Sequence, residues 1–87
     1  MLKVLALPIE MIAWFNEGGL PTPIRFKINS ESPANVVKVD KVISRIVEKF
    51  AGNNVYLYRC QSVINNTERV YELKYELKSC KWMLFKM

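Results

Sequence analysis

The sequence contains no histidine. Histidine supplies the base of Ser-His and Cys-His catalytic pairs, it is the commonest metal ligand, and it is the side chain that normally titrates near neutral pH. Its absence excludes those catalytic pairs and all imidazole metal sites. The remaining hydroxyl and thiol groups stand at no Ser-x-x-Lys or comparable spacing from a lysine that could act as the base. We therefore expect no catalytic residues and a protein that is not an enzyme.

Glycine and cysteine are also scarce. The chain has three glycines and no glycine-rich phosphate loop, and the Gly18-Gly19 pair is interpreted as part of a turn. Its two cysteines, Cys60 and Cys80, stand twenty positions apart, form no C-x-x-C motif and have no nearby cluster of other metal ligands. We expect neither a metal nor a cofactor.

Long hydrophobic runs are missing as well. The apolar start MLKVLALPIEMIAWF is interrupted by Pro8 and Glu10, well short of the roughly 18 to 20 residues that span a membrane. We interpret this segment as a core strand rather than an export signal or an anchor. The expected location is therefore cytoplasmic, with reduced thiols and no membrane partner.

What is present describes one globular domain over residues 1–87. The chain has a mass of 10.2 kDa, and 51% of its residues are hydrophobic and 24% charged. A chain of this length cannot form a second independent core.

Two loops and a strand are predicted in the first half. A cluster of turn formers over 15–23 is interpreted as a loop, and the polar stretch Asn29–Asn35 forms a second loop. Between them, PIRFKI alternates strictly, with Ile24, Phe26 and Ile28 on one side and Arg25 and Lys27 on the other. This period of two is typical of a half-buried strand.

Residues 36–50 carry two competing patterns. Apolar residues recur at three- and four-residue spacing, and Gly52 follows where a helix C-cap would stand, which favours an amphipathic helix. In contrast, five of the eight residues in 36–43 are β-branched, which favours a strand. From the pattern alone an all-β fold and an α+β fold with one helix at 36–50 both stay open.

The second half is predicted to be a meander of strands. VYLYRCQSVI leads through the polar turn Asn65-Asn66-Thr67 into RVYELKYELK, and WMLFKM follows as the last strand. The Tyr-Glu-Leu-Lys repeat places Tyr71 and Tyr75 on one strand face, where we expect them to line the core. Trp82 is likewise expected to be a core residue, whereas Trp14 is assigned to the core or to an interface.

The order of these segments resembles a group of small uncharacterised bacterial proteins that are common in clostridia. PIRFKI, VVKVDKVISR, YRCQS and YELKYELKSCKWMLFKM carry the resemblance, and they are more distantly similar to a bacterial family of unknown function with PxRF, YELY and WxL strands. The resemblance implies a small, strongly bent SH3-like barrel of five or six antiparallel strands, with a strand rather than a helix near 36–45. It supplies no catalytic residues.

Positive charge is concentrated in the second half of the chain. The formal net charge is +5, and residues 36–87 hold ten of the 13 basic residues but five of the eight acidic ones. Basic surfaces attract polyanions. If 36–45 is a strand, one outward-facing set of cations forms a candidate site for nucleic acid or another polyanion: Arg25, Lys27, Lys38, Lys41 and Arg45.

A protein-interaction module is the alternative function. The apolar ends of the chain, Met1–Ala13 and Trp82–Met87, are expected to be strand edges that must be covered. A homodimer joined through these ends would cover them, although the last strand could instead close the barrel onto the first.

Overall fold

The described part of the protein is a curled antiparallel half-barrel of seven strands. The computed structural model describes residues 2–29 and 35–87, so Met1 and residues 30–34 of the loop predicted at 29–35 lie outside the described residues. Within that part of the chain every regular element is a strand, which confirms the all-β prediction and shows that the α+β alternative was wrong. The strands are β1 (Val4–Phe15), β2 (Pro21–Ile28), β3 (Asn35–Lys38), β4 (Lys41–Phe50), β5 (Asn53–Ile64), β6 (Thr67–Glu76) and β7 (Lys81–Lys86), and their order in the sheet is β3-β2-β1-β7-β6-β5-β4.

The ambiguous stretch 36–50 forms two strands joined by a bend at Val39-Asp40. This bend explains why the sheet has seven strands rather than the five or six expected. The Val39 amide donates to the carbonyl of Ile24 on β2 (2.9 Å), and the Asp40 amide donates to the carbonyl of Gln61 on β5 (3.0 Å). The bend therefore connects the two ends of the curled sheet. The helix-like spacing of the apolar residues in 36–50 gives no sign of this bend.

Tight turns join the long strands of the second half. Asn65 and Asn66 connect β5 to β6 and both have positive φ (52° and 62°), the conformation that two-residue hairpins favour and asparagine tolerates. This confirms the predicted turn. Ala51 and Gly52 connect β4 to β5 in the same way, so Gly52 belongs to a hairpin and not to a helix C-cap.

The core lies on the concave side of the sheet. Tyr71 and Leu73 are fully buried, and Tyr75 and Trp82 pack with their ring centroids 4.7 Å apart, which confirms the predicted core roles of Tyr71, Tyr75 and Trp82. The buried hydrophobic residues are Phe26, Ile28, Val37, Tyr58, Cys60, Tyr71, Leu73, Tyr75, Trp82 and Leu84.

One residue of the predicted PIRFKI pattern leaves the concave side. Phe26 and Ile28 are buried as expected, but Ile24 is 42% exposed. Ile12 of β1 lies opposite Arg25 while the next residue, Ala13, lies opposite Pro23, so Ile24 is bulged out of the ladder. A bulge of this kind changes the side on which a residue lies without changing the sequence pattern.

The chain ends do not form the sheet edges, so the expectation that they do was wrong. β7 lies between β1 and β6, and Lys3 and Met87 exchange backbone hydrogen bonds of 2.8 and 3.0 Å. The apolar C-terminal segment is covered by closing onto β1, the other possibility left open by the sequence. The strands at the two ends of the sheet are β3 and β4.

Candidate nucleic-acid interface

Three of the five predicted cations meet on the convex side of β2 and β3. All five are exposed. Arg25 lies directly opposite Lys38, and Lys27 lies two positions along β2, opposite Val36. Phe26 and Val37, which alternate with these residues, are buried on the other side. Strand alternation therefore presents Arg25, Lys27 and Lys38 together to solvent.

β1 extends this surface with apolar side chains and one acid. Ile12 lies opposite Arg25, Glu10 opposite Lys27, and Trp14 opposite Thr22. A groove of about 480 Å³ runs beside Ile12, Arg25 and Lys27. The outward residues of the three strands are hereafter called the basic face: Glu10, Ile12, Trp14, Thr22, Arg25, Lys27, Val36 and Lys38.

The basic face has a charge arrangement that is unfavourable for an isolated sheet. Like charges directly opposite each other on neighbouring strands are destabilising, and Arg25 and Lys38 form such a pair. The ion pairs found among the described residues, Arg59–Glu72 and Lys74–Glu48, involve neither of them. A bound anion would relieve this opposition.

Trp14 is a member of the site that the sequence assigned only to the core or an interface. Its side chain is 71% exposed, the largest exposure among the large hydrophobic residues of the described chain. Because Ile24 is bulged, Trp14 is the diagonal neighbour of Arg25 on the same side of the sheet. The run Met11–Phe15 is almost wholly apolar, so hydropathy gives no sign of which of its residues face out.

A buried hydroxyl network fixes the position of Lys38. The Ser62 hydroxyl donates to the carbonyl of Lys38 (2.6 Å) and accepts from the hydroxyl of Tyr71 (2.6 Å). Ser62 is 1% exposed. Next to it, the Val63 amide donates to the carboxylate of Asp40 (2.8 Å), which holds the bend after Lys38. Neither role was predicted, because the contacts that hold Lys38 and Asp40 join residues more than twenty positions apart.

The other two predicted cations lie elsewhere. Lys41 follows the bend and faces outward on β4, opposite Gln61. The register of β4 against β5 shifts between Val42 and Ser44, so Arg45 lies on the same side as its partner Tyr58, the concave side. Its guanidinium carbon stands 5.3 Å from the centroid of the Tyr56 ring. Arg45 is exposed, as predicted, but it lies on the opposite side of the sheet from the other predicted cations, because a β-bulge reverses the alternation.

Most tyrosines of the chain are unavailable for stacking on a ligand. Tyr58 is 2% exposed and donates a hydrogen bond to the carbonyl of Pro21. Burial raises the pKa of Tyr58 to about 12, and burial raises the pKa of Tyr71 to about 12 as well. Both phenols are neutral core groups. Trp14 is the aromatic ring that the basic face offers.

Other site types have little support in the described part of the chain. Residues 2–29 and 35–87 contain no group of three or more side chains suited to holding a metal ion. No helix in these ranges could serve as a membrane span. Cys60 is buried, Cys80 is exposed, and the two form no disulfide.

No family model, curated protein or solved structure matches the chain. The resemblance drawn from the PIRFKI and YELKYELK segments therefore stays a prediction.

Proposed function

We propose that this protein is a non-catalytic, SH3-like module that binds single-stranded nucleic acid through the basic face. The observation that carries the proposal is the direct opposition of Arg25 and Lys38 beside the exposed ring of Trp14. The pair concentrates positive charge where no carboxylate of the described chain forms an ion pair with it. Phosphate groups are the polyanionic ligands that such a pair fits.

Trp14 favours nucleic acid over other polyanions. An exposed indole ring can stack on a base, and aromatic rings next to cations are the usual means by which small β-barrel proteins bind single strands. A sulfated polysaccharide or an acidic peptide would have no planar base for this ring. The apolar side chains of Ile12 and Val36, both more than half exposed, offer further contact area for bases and sugars.

The shape of the face favours single strands over duplexes. Sequence-independent stacking needs bases that are free of their partners, because paired bases are covered on both faces by the duplex stack. The described strands present the broad surface of a sheet, whereas a major groove admits an α-helix or a two-stranded β-ribbon. Glu10, whose carboxylate accepts a hydrogen bond from the side-chain Nδ2 of Asn29, places a negative charge at one side of the face. Because this carboxylate repels phosphate groups, we expect the phosphates of the ligand to contact Arg25, Lys27 and Lys38.

The proposal is tested by fluorescence anisotropy with labelled single- and double-stranded oligonucleotides over a salt series. Neutralising about three phosphates on a single strand predicts a slope of about −2 for the logarithm of affinity against the logarithm of salt. We expect tighter binding to the single strand. Absence of binding at low salt, or tighter binding to the duplex, would contradict the proposal.

A further inference from the structure

Strand β4 leaves one of its edges unpaired in the described structure. It ends the sheet and pairs only with β5, over its whole length from Lys41 to Phe50. The backbone N–H and C=O groups on its other edge have no strand beside them. Natural proteins protect such edges, since they pair readily with another strand.

The same strand carries exposed apolar side chains. Ile46 is 53% exposed on the convex side, opposite Leu57, and Val47 is 52% exposed on the concave side, opposite Tyr56. Charged side chains usually protect the edge strand of a monomer, and β4 carries Lys41, Arg45, Glu48 and Lys49. These charges nevertheless leave Ile46 and Val47 exposed at the centre of the strand. Here both sides of the edge offer β-branched residues, which suit strand pairing.

We propose that β4 pairs with β4 of a second copy of this chain, antiparallel, about a two-fold axis at Ile46. Two antiparallel strands related by a two-fold axis place one residue opposite its own copy, and the residues on either side pair in a crossed fashion. The two half-barrels would then share one continuous sheet. This proposal goes beyond nucleic-acid binding and does not depend on it.

The positions of the charged residues on β4 favour a two-fold axis at Ile46 over an axis at a neighbouring residue. An axis at Arg45 would place two arginines opposite each other, and an axis at Glu48 would oppose two glutamates. An axis at Val47 would oppose Arg45 and Lys49. Like charges in these positions disfavour pairing. An axis at Ser44 would bring the bulge between Val42 and Ser44 into the centre of the ladder.

The axis at Ile46 avoids all of these conflicts. It opposes Ile46 to its own copy, Arg45 to Val47, and Ser44 to Glu48. The paired isoleucines cover each other on the convex side, and Val47 packs against the aliphatic part of the Arg45 side chain of the second copy. In this register a second copy therefore places no like charges directly opposite each other and covers the exposed apolar side chains at the centre of β4.

The first test is sedimentation equilibrium over a protein concentration series. The wild-type protein is expected to shift from 10.2 kDa towards twice that mass as concentration rises. Ile46→Lys places two ammonium groups at the axis and is expected to weaken association at least tenfold. Val63→Lys is the matched control, because Val63 is 63% exposed on β5, away from the β4 edge.

A second pair of variants tests the register by the sign of the effect. Ser44→Lys would face Glu48 of the second copy twice per dimer and is expected to tighten association about threefold to tenfold, whereas Ser44→Glu should weaken it by a similar factor. General repulsion predicts the reverse order, because the lysine variant adds to a net charge that is already +5. Circular dichroism would verify that each variant is folded.

Three results would overturn the proposal. The first is a protein that stays strictly monomeric up to about 1 mM, which would leave the edge to a different chain. The second is a dimer that Ile46→Lys and Val63→Lys affect equally. The third is the reverse order of the two Ser44 variants.

Discussion

Arg25 and Lys38 lie directly opposite each other on neighbouring strands, so two positive side chains share one position of the ladder. Opposed like charges cost stability, of the order of 0.2–1 kcal/mol. The cost disappears when an anion binds between them. A substitution that removes one of the two charges should therefore raise the free energy of unfolding and lower the affinity for an anionic ligand. Opposite changes in these two quantities would indicate that the pair has a role in binding rather than in stability.

Replacing Lys38 with glutamate should stabilise the fold and abolish binding. Lys38→Glu converts the opposed cations into an Arg–Glu pair, so the free energy of unfolding is expected to rise by about 0.2–1 kcal/mol. The affinity for a single-stranded oligonucleotide should fall at least tenfold, since a phosphate contact is replaced by repulsion. Urea denaturation and fluorescence anisotropy measure the two effects.

Lys78→Glu is the control for net charge. Lys78 is exposed in the turn between β6 and β7, and its replacement makes the same change of charge away from the basic face. It should lower the affinity much less than Lys38→Glu does. Equal losses in the two variants would show that overall charge, rather than the opposed pair, attracts the ligand.

Trp14→Ala should lower affinity without changing its dependence on salt. Loss of one stacking contact costs about 1–3 kcal/mol, which corresponds to a loss of affinity of roughly fivefold to 150-fold. The salt slope reports phosphate contacts and should stay near its wild-type value. Because Trp14 is 71% exposed, the midpoint of urea denaturation should change little.

Phe15 provides the matched control for this substitution. It is the next residue along β1, but its ring packs edge-to-face with Tyr75, with the centroids 6.2 Å apart, on the other side of the strand. Phe15→Ala should lower stability and affect binding less than Trp14→Ala. The opposite result would place the stacking surface on the concave side.

Ser62→Ala should destabilise the protein by about 1–3 kcal/mol. The substitution leaves the carbonyl of Lys38 and the hydroxyl of Tyr71 without their partner in a buried site. A double-mutant cycle with Tyr71→Phe, measured by urea denaturation, should show that the two losses are not additive. Fully additive losses would mean that the two hydroxyls act independently.

Features of this fold could be predicted from the sequence where they depend on residues that are close together along the chain. Local alternation was enough for β6, because the charged residues Glu72, Lys74 and Glu76 alternate with Tyr71, Leu73 and Tyr75. Local signals also predicted the Asn65-Asn66 turn.

The candidate site was only partly predictable, for two physical reasons. Bulges at Ile24 and between Val42 and Ser44 shift residues from one side of the sheet to the other, so simple alternation misplaces Ile24 and Arg45. In addition, the bend at Val39-Asp40 is held by β2 and β5, which lie far away in sequence. Arg25, Lys27 and Lys38 were predicted together because no bulge separates the first two and β3 pairs directly with β2.

Alkaline pH should unfold the protein through its buried thiol and phenols. Burial raises the pKa of Cys60 from 9.0 to about 12, and burial raises the pKa of Tyr71 from 10.0 to about 12. Groups whose pKa is raised by folding contribute their full stability below the unfolded pKa and lose it as the pH rises towards the folded value. The contribution of these groups to stability should therefore be constant below about pH 9 and be lost between about pH 9 and pH 12.

Cys60→Ala separates the thiol from the phenols. The variant is expected to be less stable at neutral pH because Cys60 is completely buried, but its stability should decline later, from about pH 10. The difference in free energy of unfolding between the wild type and the variant should decrease by about 1 kcal/mol between pH 9 and pH 10. Urea denaturation at several pH values under reducing conditions measures this difference. A difference that stays constant would mean that groups other than Cys60 cause the loss of stability at alkaline pH.

The most direct test of the central claim is a titration of the isotope-labelled protein with a single-stranded oligonucleotide, followed by amide and indole chemical shifts. Binding through the basic face predicts that the largest changes fall on the Trp14 indole and on Arg25, Lys27 and Lys38, with the buried Trp82 indole little affected. Changes centred on β5 and β6, or no changes at low salt, would contradict the account.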